Sequence, residues 1–497
     1  MTSHKLGSLF LLGMLTAGIF TLPHTTLHTK AAAEDTTNAT ATLKTGLENA
    51  GFTVQQGSFY ELDTIKEASE GRLMSCFGNN AGSSYMVFNL PSAPDQEIPN
   101  PRFLPDGWQY KLREDEAIVL ITPLPPKCKY YSFINYIMFT EQKAGKDYTN
   151  EKGFFSTGDE TTGLYHPIFG SIGEPLNMQN ISDDPSMDVF SGTVVIVISA
   201  NQTTTESVRA QLQAAGYSDD RIHVMPIPSG TYQMGLEKGD DTFCFLGRVS
   251  QPEDAALCSD YFASLSETST VYRVTPEEET ASAPYENETL TPRGTGIHES
   301  ARLDNARQHL DEIRSAILQN YQDDYDYEEL RTDIAVPEGL TAYFNDTNAQ
   351  GDNRDTAYLM TPDFTLQSDE DFVIVYGVNH TATGKAQYSN AVLYSRPMLN
   401  GICSVYDSLF PGSAAAFLNA DSKTTDQYYV YKMARTEEEP YTACIEYSTG
   451  NEKGVYYGAD NNTPLFLAFR AYLDETGVGS SYYELLYDRA IVFHKKQ

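Results

Sequence analysis

Short stretches of β-branched and aromatic residues, bounded by acidic, Pro or Gly turns, recur along the chain. Residues 117–121, 372–376 and 428–431 are clear examples. This pattern is typical of strands rather than helices, because such side chains pack well on a pleated surface. It predicts an α+β fold, mainly antiparallel β, built from two similar β-sandwich-like modules.

Two segments have a helical period instead. Leu303, Ala306, Leu310, Ile313, Ile317 and Tyr321 recur at helical spacing with charges between them. This spacing predicts an amphipathic helix over residues 299–321, at the start of the second module. Residues 40–50, followed by Gly51, predict a shorter helix at the start of the first module.

One stretch of the first module has no counterpart in this pattern. Residues 193–198 read as a buried strand, 203–215 as a helix and 221–227 as a second strand, which predicts a βαβ insertion over about 193–227. Thr203 and Glu206 match a capping box, and Gly216 is suited to end the helix. The first strand leads into residues 199–202 without a Gly-rich phosphate loop, so nucleotide binding is disfavoured.

Several segments recur in the same order in the two halves. Residues 78–87 resemble 351–360, residues 114–121 resemble 369–376, and each half then reaches a Tyr-Ser step, at 131–132 and 388–389. A further match has identical spacing and sets Phe243, Phe245, Glu253, Cys258 and Tyr261 against Tyr429, Tyr431, Glu439, Cys444 and Tyr447. Ordered matches predict an internal duplication. Convergent hairpin patterning is the alternative.

These observations divide the chain into four parts. Residues 1–33 are predicted to be a signal peptide, 34–274 the first β-rich module, and 298–497 the second β-rich module with its N-terminal helix. Residues 275–297 contain five Glu and three Pro and few large apolar residues. That composition predicts a linker or a long surface connection.

The N-terminal residues have the order of a signal peptide. Lys5 precedes an apolar run over residues 6–20, and three alanines at 31–33 supply small residues for cleavage. The expected location is secreted or extracytoplasmic in the cell envelope, without membrane attachment after cleavage. An uncleaved N-terminal anchor is the alternative.

Charge and cysteine content narrow the choice of partners. The 68 acidic and 34 basic residues give a formal charge of −34, which repels nucleic acid and anionic lipid and disfavours both as partners. An oxidising compartment would allow the six cysteines to pair, with the connectivity open; free buried thiols are the alternative. The oligomeric state stays open.

Residues 114–136 resemble modules of uncharacterised exported bacterial proteins. In those families a β-sandwich module carries an acidic or Gly turn, a strand, a Pro-Pro loop and an aromatic strand. This chain has the acidic turn at 114–116, Pro125-Pro126, and the aromatic strand at 131–133. The second half departs from the pattern, with residues 378–380 in place of the prolines. The resemblance implies a fold but no reaction.

Motifs of well-known hydrolases are missing from the sequence. The segment 169–173 lacks the first glycine of a G-x-S-x-G nucleophile elbow, and there is no H-E-x-x-H. No metal site is therefore predicted from histidines.

The densest polar cluster lies in the second half, at residues 351–356 and 376–385. A catalytic hypothesis uses Asp355 as a base, Arg354 and Lys385 to bind an anionic group, and His380 to move a proton. In the bland alternative Arg354 and Asp355 form a local salt bridge and His380 is a surface residue. Neighbouring side chains suited to contact a ligand are Asn353, Tyr358, Asn379 and Tyr388.

A calcium loop is a second hypothesis for the same region. Asp346, Asn348, Gly351, Asp352 and Asp355 place oxygen ligands around a glycine. Position twelve from Asp346 is Ala357 rather than an acid, and an Asx-rich turn explains the same residues. No other cofactor is expected.

The sequence therefore predicts an exported protein that binds a polar small molecule or a glycan on its second module. A hydrolase or lyase using the polar cluster is one alternative. A structural envelope protein is the other.

Overall fold

The protein is described by a computed structural model over residues 38–100, 104–105, 107–148, 165–437 and 439–497. The fold is mixed α+β with mostly antiparallel strands, as the hydrophobic pattern predicted. The predicted signal peptide lies outside the described residues. Within those residues, no helix has both the length and the apolar character that a membrane crossing needs.

The first half contains a helix over residues 38–49, here called α1, and three further helices, all between strands. Its strands are β1 (Phe52–Leu62), β2 (Ser83–Asn89), β3 (Gln109–Tyr110), β4 (Ala117–Pro123), β5 (Cys128–Glu141), β6 (Tyr165–Ser171), β7 (Leu176–Asn177), β8 (Thr193–Ser199), β9 (Ile222–Pro226), β10 (Thr242–Pro252) and β11 (Thr270–Pro276). Its other helices are α2 (Thr64–Ser69), α3 (Gln202–Ala214) and α4 (Ala255–Thr268).

The second half begins with the longest of its helices. The helices are α5 (Ala306–Tyr321), α6 (Gly339–Asn345) and α7 (Ser422–Thr425). The strands are β12 (Tyr325–Leu330), β13 (Asp333–Ile334), β14 (Thr356–Met360), β15 (Phe372–Val378), β16 (Tyr388–Ser395), β17 (Asn400–Tyr406), β18 (Tyr428–Ala434), β19 (Thr442–Cys444), β20 (Leu465–Tyr472) and β21 (Arg489–Lys495). Short 3-10 turns cover Asp219–Arg221, Glu299–Ala301 and Asp407–Leu409.

The strands of the two halves follow the same pairing order. The first half forms one sheet ordered β6-β5-β10-β2-β1-β11-β4-β8-β9, with β3 and β7 at its side. The second half forms two sheets, ordered β17-β16-β20-β14-β13 and β12-β21-β15-β18-β19. Read in these directions, each strand of the first order has a counterpart in the second. The last pair is parallel in both halves, at β8–β9 and at β18–β19.

The first strand of each half shows how one sheet corresponds to two. Residues 52–57 of β1 pair with β11, and residues 58–62 of the same strand pair with β2. In the second half these roles are divided, since β12 pairs with β21 and β13 pairs with β14. A break in the strand between β12 and β13 therefore separates the two sheets.

Helices cover the outer face of each half. Leu310, Ile313 and Ile317 of α5 pack with alternate residues of β15, β18 and β21. Leu43 and Leu47 of α1, with residues of α3, pack in the same way on β4, β8 and β11. Period-2 alternation in the strands accounts for this, because one side of each strand meets a helix and the other side meets the central core of its half.

The predicted helices and the parallel unit of β8, α3 and β9 are confirmed, with shifted ends. The prediction that this unit is an insertion without a counterpart is wrong, because β18 and β19 form the equivalent parallel pair in the second half. Residues 299–305 precede α5 as a 3-10 turn and a bend, so the helix starts at Ala306 rather than at residue 299. Helix α3 begins after Asn201, whose side chain accepts from the Thr204 amide at 3.1 Å. The predicted capping box at Thr203 and Glu206 is therefore wrong, because Asn201 caps the helix earlier.

One of the matched segment pairs does not join equivalent strands. Phe243 and Phe245 lie on β10, whose counterpart in the pairing order is β20, whereas Tyr429 and Tyr431 lie on β18. Cys258 is helical, in α4, and Cys444 is in a strand, β19. The identical spacing of this pair arises from similar strand patterns.

All six cysteines have free thiols, so no disulfide framework is formed.

Candidate functional site

A cavity of about 120 Å³ lies between the two halves. Strands β2, β5 and β10 supply one side of its wall, and β14, β16 and β20 supply the other. Most of the lining side chains are apolar or aromatic, among them Val87, Leu246, Met360 and Phe466. Trp108, the only tryptophan of the chain, is buried in the same wall.

Strand alternation brings a polar group from each half into this cavity. On β10, Phe243 and Phe245 point to the first-half core, so Cys244, Leu246 and Arg248 line the cavity. On β20, three residues point to the second-half core, and Phe466, Ala468, Arg470 and Tyr472 line the cavity. Because successive side chains of a strand point to opposite faces of the sheet, the residues between the core-facing ones must face the cavity.

Arg248 and Arg470 occupy equivalent positions in the two halves. In the strand register, Arg248 lies opposite Tyr85 of β2, and Arg470 lies opposite Tyr358 of β14. The first matched segment of the sequence sets those two tyrosines against each other. Only 5% of Arg248 and 7% of Arg470 is exposed, so both guanidinium groups are buried.

Tyrosine hydroxyls and rings surround the two guanidinium groups. Arg248 donates to the Tyr136 hydroxyl at 2.6 Å and lies 3.4 Å from that of Tyr358. The Arg470 guanidinium lies 5.5 Å from the Tyr358 ring centre and 5.4 Å from that of Tyr394. Burial raises the pKa values of Tyr136, Tyr358 and Tyr394, so these hydroxyls stay neutral.

A loop of each half reaches into the other half beside the cavity. The amides of Cys76 and Gly78 donate to the carbonyls of 398 and 399, both at 2.8 Å. The amides of Ala349 and Gly351 donate to the carbonyls of 168 and 169, at 2.7 and 2.8 Å. The residues before the two glycines, 77 and 350, both have positive φ, at 53° and 54°. The two loops, at 76–82 and 349–355, thus make reciprocal contacts.

Asparagines at equivalent places in these loops bind tyrosines of the opposite half. Asn353 donates to the Tyr130 hydroxyl at 2.8 Å, and Asn80 donates to that of Tyr388 at 3.4 Å. All four residues are buried. Asn353 and Tyr388, both predicted to contact a ligand, therefore bind protein partners where the halves meet.

Asp355 lies in the same reciprocal network. Its carboxylate accepts from the Tyr130 hydroxyl at 2.7 Å and from the Asn177 amide at 2.9 Å. Burial raises the pKa of this carboxyl to about 6, although both hydrogen bonds oppose the shift. The residue at the equivalent place in the first half is Gly82.

The other three proposed catalytic groups bind separate partners. Arg354 pairs with Glu338, and with Glu174 at 3.2 Å. Lys385 pairs with Glu484 and donates to Thr295 at 2.8 Å. Each of these groups is thus held by partners different from those of Asp355, and their joint catalytic role stays a prediction.

His380 is buried between two carboxylates rather than lying in a surface loop. Its Nδ1 is 2.8 Å from Glu299 and its Nε2 is 3.3 Å from Asp488. Burial opposes the charged ring, but the two carboxylates outweigh it and raise the pKa of His380 well above its usual range. An imidazolium whose charged form is favoured by two carboxylate partners is poorly suited to shuttle protons near neutral pH.

Of the four predicted ligand contacts, Tyr358 lines the cavity. Asn379 instead directly follows β15, where its backbone N–H donates to the Gln427 carbonyl at 2.8 Å and its side chain accepts from the Thr381 hydroxyl at 2.7 Å. The sequence did not single out Arg248 and Arg470. The available signal was an arginine at an inward position of an otherwise apolar or aromatic alternating strand.

The carboxylates proposed as calcium ligands hydrogen-bond or pair with other groups of the protein. Asp346 pairs with Lys146 at 3.0 Å and accepts from Tyr148. Asp352 accepts from the Ser171 amide at 2.7 Å and the Gly339 amide at 2.8 Å. In the part of the chain that the structure describes, no three His, Cys, Asp or Glu side chains cluster as a metal site would need.

The cavity and the reciprocal loops beside it thus lie where the two halves of this β-rich chain meet. No family model and no curated protein matches the chain. An uncharacterised protein from Burkholderia cenocepacia is similar in structure, with 11% identity, 94% of this chain and 89% of that chain covered, and a TM-score of 0.37. A Vibrio parahaemolyticus protein is similar with 10% identity, 93% and 99% coverage, and a TM-score of 0.34. Both are bacterial.

Proposed function

We propose that this chain is an exported binding protein that encloses a small ligand between two related modules. The observation that carries the proposal is the cavity of about 120 Å³, whose wall comes from both halves. Ligand sites are typically concave and mostly apolar, with a few polar groups that orient the ligand. The wall has that composition.

The shared strand order supports the view that the two modules arose by duplication. Each module would have a helix outside, a layer of strands beneath it, and a second layer of strands facing the cavity. The reciprocal loops at 76–82 and 349–355 support a pseudo-two-fold relation between the modules. In this view the ligand lies near the axis instead of on the second module alone.

The size of the cavity favours a small ligand over a glycan chain. A cavity of about 150 Å³ accommodates benzene. The space here is slightly smaller, at about 120 Å³. A ligand with a body no larger than a six-membered ring is therefore the better candidate.

A hydrolase or lyase is the weaker alternative. Asp355, with a pKa of about 6, is suited to act as a base. Its hydrogen-bond partners are Tyr130 and Asn177, and the cavity-lining residues do not include it. Binding without chemistry accounts for more of the arrangement.

Trp108 provides a direct test of binding, because a ligand in the cavity would change the fluorescence of the only tryptophan. Benzoate, benzyl alcohol, acetate and glucose would be titrated into the mature protein. We expect saturable binding of a ring-sized compound. Ala468→Phe should abolish it by filling the cavity, whereas Ala468→Ser should bind normally.

The free energy of unfolding of both variants serves as the control, because overpacking costs about 1–3 kcal/mol without unfolding most proteins. Absence of binding by all four compounds to the wild type would contradict the proposal. Unchanged binding by a folded Ala468→Phe variant would move the site elsewhere.

A further inference from the structure

The two buried arginines of the cavity have unsatisfied hydrogen-bonding capacity. Arg248 Nε and Arg470 Nη1 are buried and have no hydrogen-bond partner in the described structure. No Asp or Glu occurs among the described residues that line the cavity. A buried guanidinium without a carboxylate is costly, because it has lost its water without gaining a counter-charge.

Each arginine has some polar contacts, but these are neutral. Arg470 donates to the Gly78 carbonyl at 3.0 Å, and Arg248 contacts the hydroxyls of Tyr136 and Tyr358. Asp355 is an acid near enough for Arg248 to lower its pKa, which burial raises. Its carboxylate is bound to Tyr130 and Asn177, so it does not pair with either arginine.

A third arginine in the wall shows the contrast. Arg396 lines the cavity and pairs with Asp363, with Nε 2.8 Å from the carboxylate. Its guanidinium also stacks 3.8 Å from the Phe466 ring centre. The charge of Arg396 is therefore balanced, and the charges of Arg248 and Arg470 are not.

We propose that the cavity takes a small organic carboxylate, whose head group is held by Arg248 and Arg470 together and whose body lies against the apolar wall. This inference rests on the proposed binding function and names its ligand class. Guanidinium groups are well matched to carboxylates, which they bind through paired hydrogen bonds.

Tyr358 indicates that one head group reaches both arginines. Its hydroxyl lies 3.4 Å from Arg248, and its ring centre lies 5.5 Å from the Arg470 guanidinium. The two charges thus border the same tyrosine from opposite modules. The apolar remainder of the wall, with Val87, Leu246 and Met360, favours an organic anion over an inorganic one.

The test compares benzoate with its neutral counterpart, benzyl alcohol, and with sulfate, using Trp108 fluorescence. We expect benzoate to bind at least about tenfold more tightly than benzyl alcohol, since a charged hydrogen bond is worth about one to two factors of ten. Arg248→Met and Arg470→Met should each weaken benzoate by about tenfold or more and leave benzyl alcohol within about threefold. Arg209→Met is the matched control, because Arg209 lies outside the cavity lining and pairs with Asp219 at 2.6 Å, and it should leave benzoate within about threefold.

The outcomes separate this inference from the binding proposal. Equal binding of benzyl alcohol and benzoate by the wild type would overturn the carboxylate inference and leave the cavity function standing. Tight sulfate binding without benzoate binding would identify an inorganic anion and also overturn it. Failure of every compound would remove both proposals.

Folding of the variants supplies an independent readout. Because Met removes a buried unpaired charge, Arg248→Met and Arg470→Met should unfold at the same temperature as the ligand-free wild type or a higher one. Benzoate should raise the unfolding temperature of the wild type and leave that of the double variant unchanged. A large loss of stability in both single variants would show that the arginines are structural, which contradicts the inference.

Discussion

The two halves share a strand order, and each has a carboxylate directly before one of its equivalent strands. The halves differ in the cation that pairs with this carboxylate. Glu116 directly precedes β4, and Asp371 directly precedes β15, its counterpart. In the first half Glu116 pairs with Arg273 at 2.8 Å, and both side chains are completely buried. In the second half Asp371 pairs with the partly exposed His494 at 2.9 Å.

The two halves have different residues on the neighbouring strand, next to the carboxylate, and this explains the different ion pairs. Arg273 pairs with Ile118 of β4, and the corresponding partner of Val373 on β15 is Val492. An apolar side chain thus stands in the second half where the first has a cation. Both halves therefore share the alternation of apolar residues along their strands, whereas their charged residues and the connections between their strands differ locally.

The largest expected effect comes from removing the cation that only the first half has. Arg273→Met leaves Glu116 buried without its ion-pair partner, and should lower the free energy of unfolding by about 3–5 kcal/mol. Urea unfolding at pH 7 measures this. The double variant Arg273→Met/Glu116→Leu should recover most of the loss, as the second half indicates by using valine. A loss below about 1 kcal/mol for the single variant would contradict this account.

An intermediate effect of opposite sign is expected at Asp355, whose counterpart is Gly82. The folded pKa of about 6 lies above the usual value near 4, so ionisation of the buried carboxyl costs stability above pH 6. Asp355→Asn should raise the free energy of unfolding by about 2 kcal/mol at pH 7.5. The gain should shrink as the pH falls through 6 and vanish near pH 4.

Exposed Asp323 provides the matched control for this pH series. Asp323→Asn should change stability by less than about 0.5 kcal/mol. A destabilised Asp355→Asn at pH 7.5 would mean that Tyr130 and Asn177 favour the charged form more than burial disfavours it.

The smallest effect concerns helix α3, which connects a parallel strand pair that the second half joins with a shorter segment. Asn201→Ala removes the side-chain cap of this helix and should cost about 1 kcal/mol. Exposed Thr203, the cap expected from the sequence, is the control, and Thr203→Ala should be nearly neutral. Equal losses for both variants, measured by urea unfolding, would restore Thr203 to the cap.

Periodicity predicted the elements of this protein better than its site. Strands β4, β8 and β15 and helices α3 and α5 follow from runs such as 193–198 and from the spacing of Leu310 and Ile313. The polar cluster at 351–356 lies in one of the two reciprocal loops, and Tyr358 lines the cavity.

The arginines were missed for a physical reason. A single strand pattern shows that Arg248 and Arg470 share a side with apolar residues, but not what covers that side. Strands β10 and β20 belong to different sheets and line the same cavity although they are distant along the chain. Similarly, the sequence grouped Arg354, His380 and Lys385 by proximity along the chain, whereas in the structure each side chain pairs with a different glutamate, namely Glu338, Glu299 and Glu484.

Because its wall is divided between β10 and β20, the cavity is completed only late in the synthesis of the chain. When Arg248 has been synthesised, only the first-half part of the wall exists. Arg470 is added 222 residues later. Until then the apolar side of β10 and the loop at 76–82 have no partner to cover them. The nascent first half would therefore be a natural substrate for chaperones that hold unfinished chains.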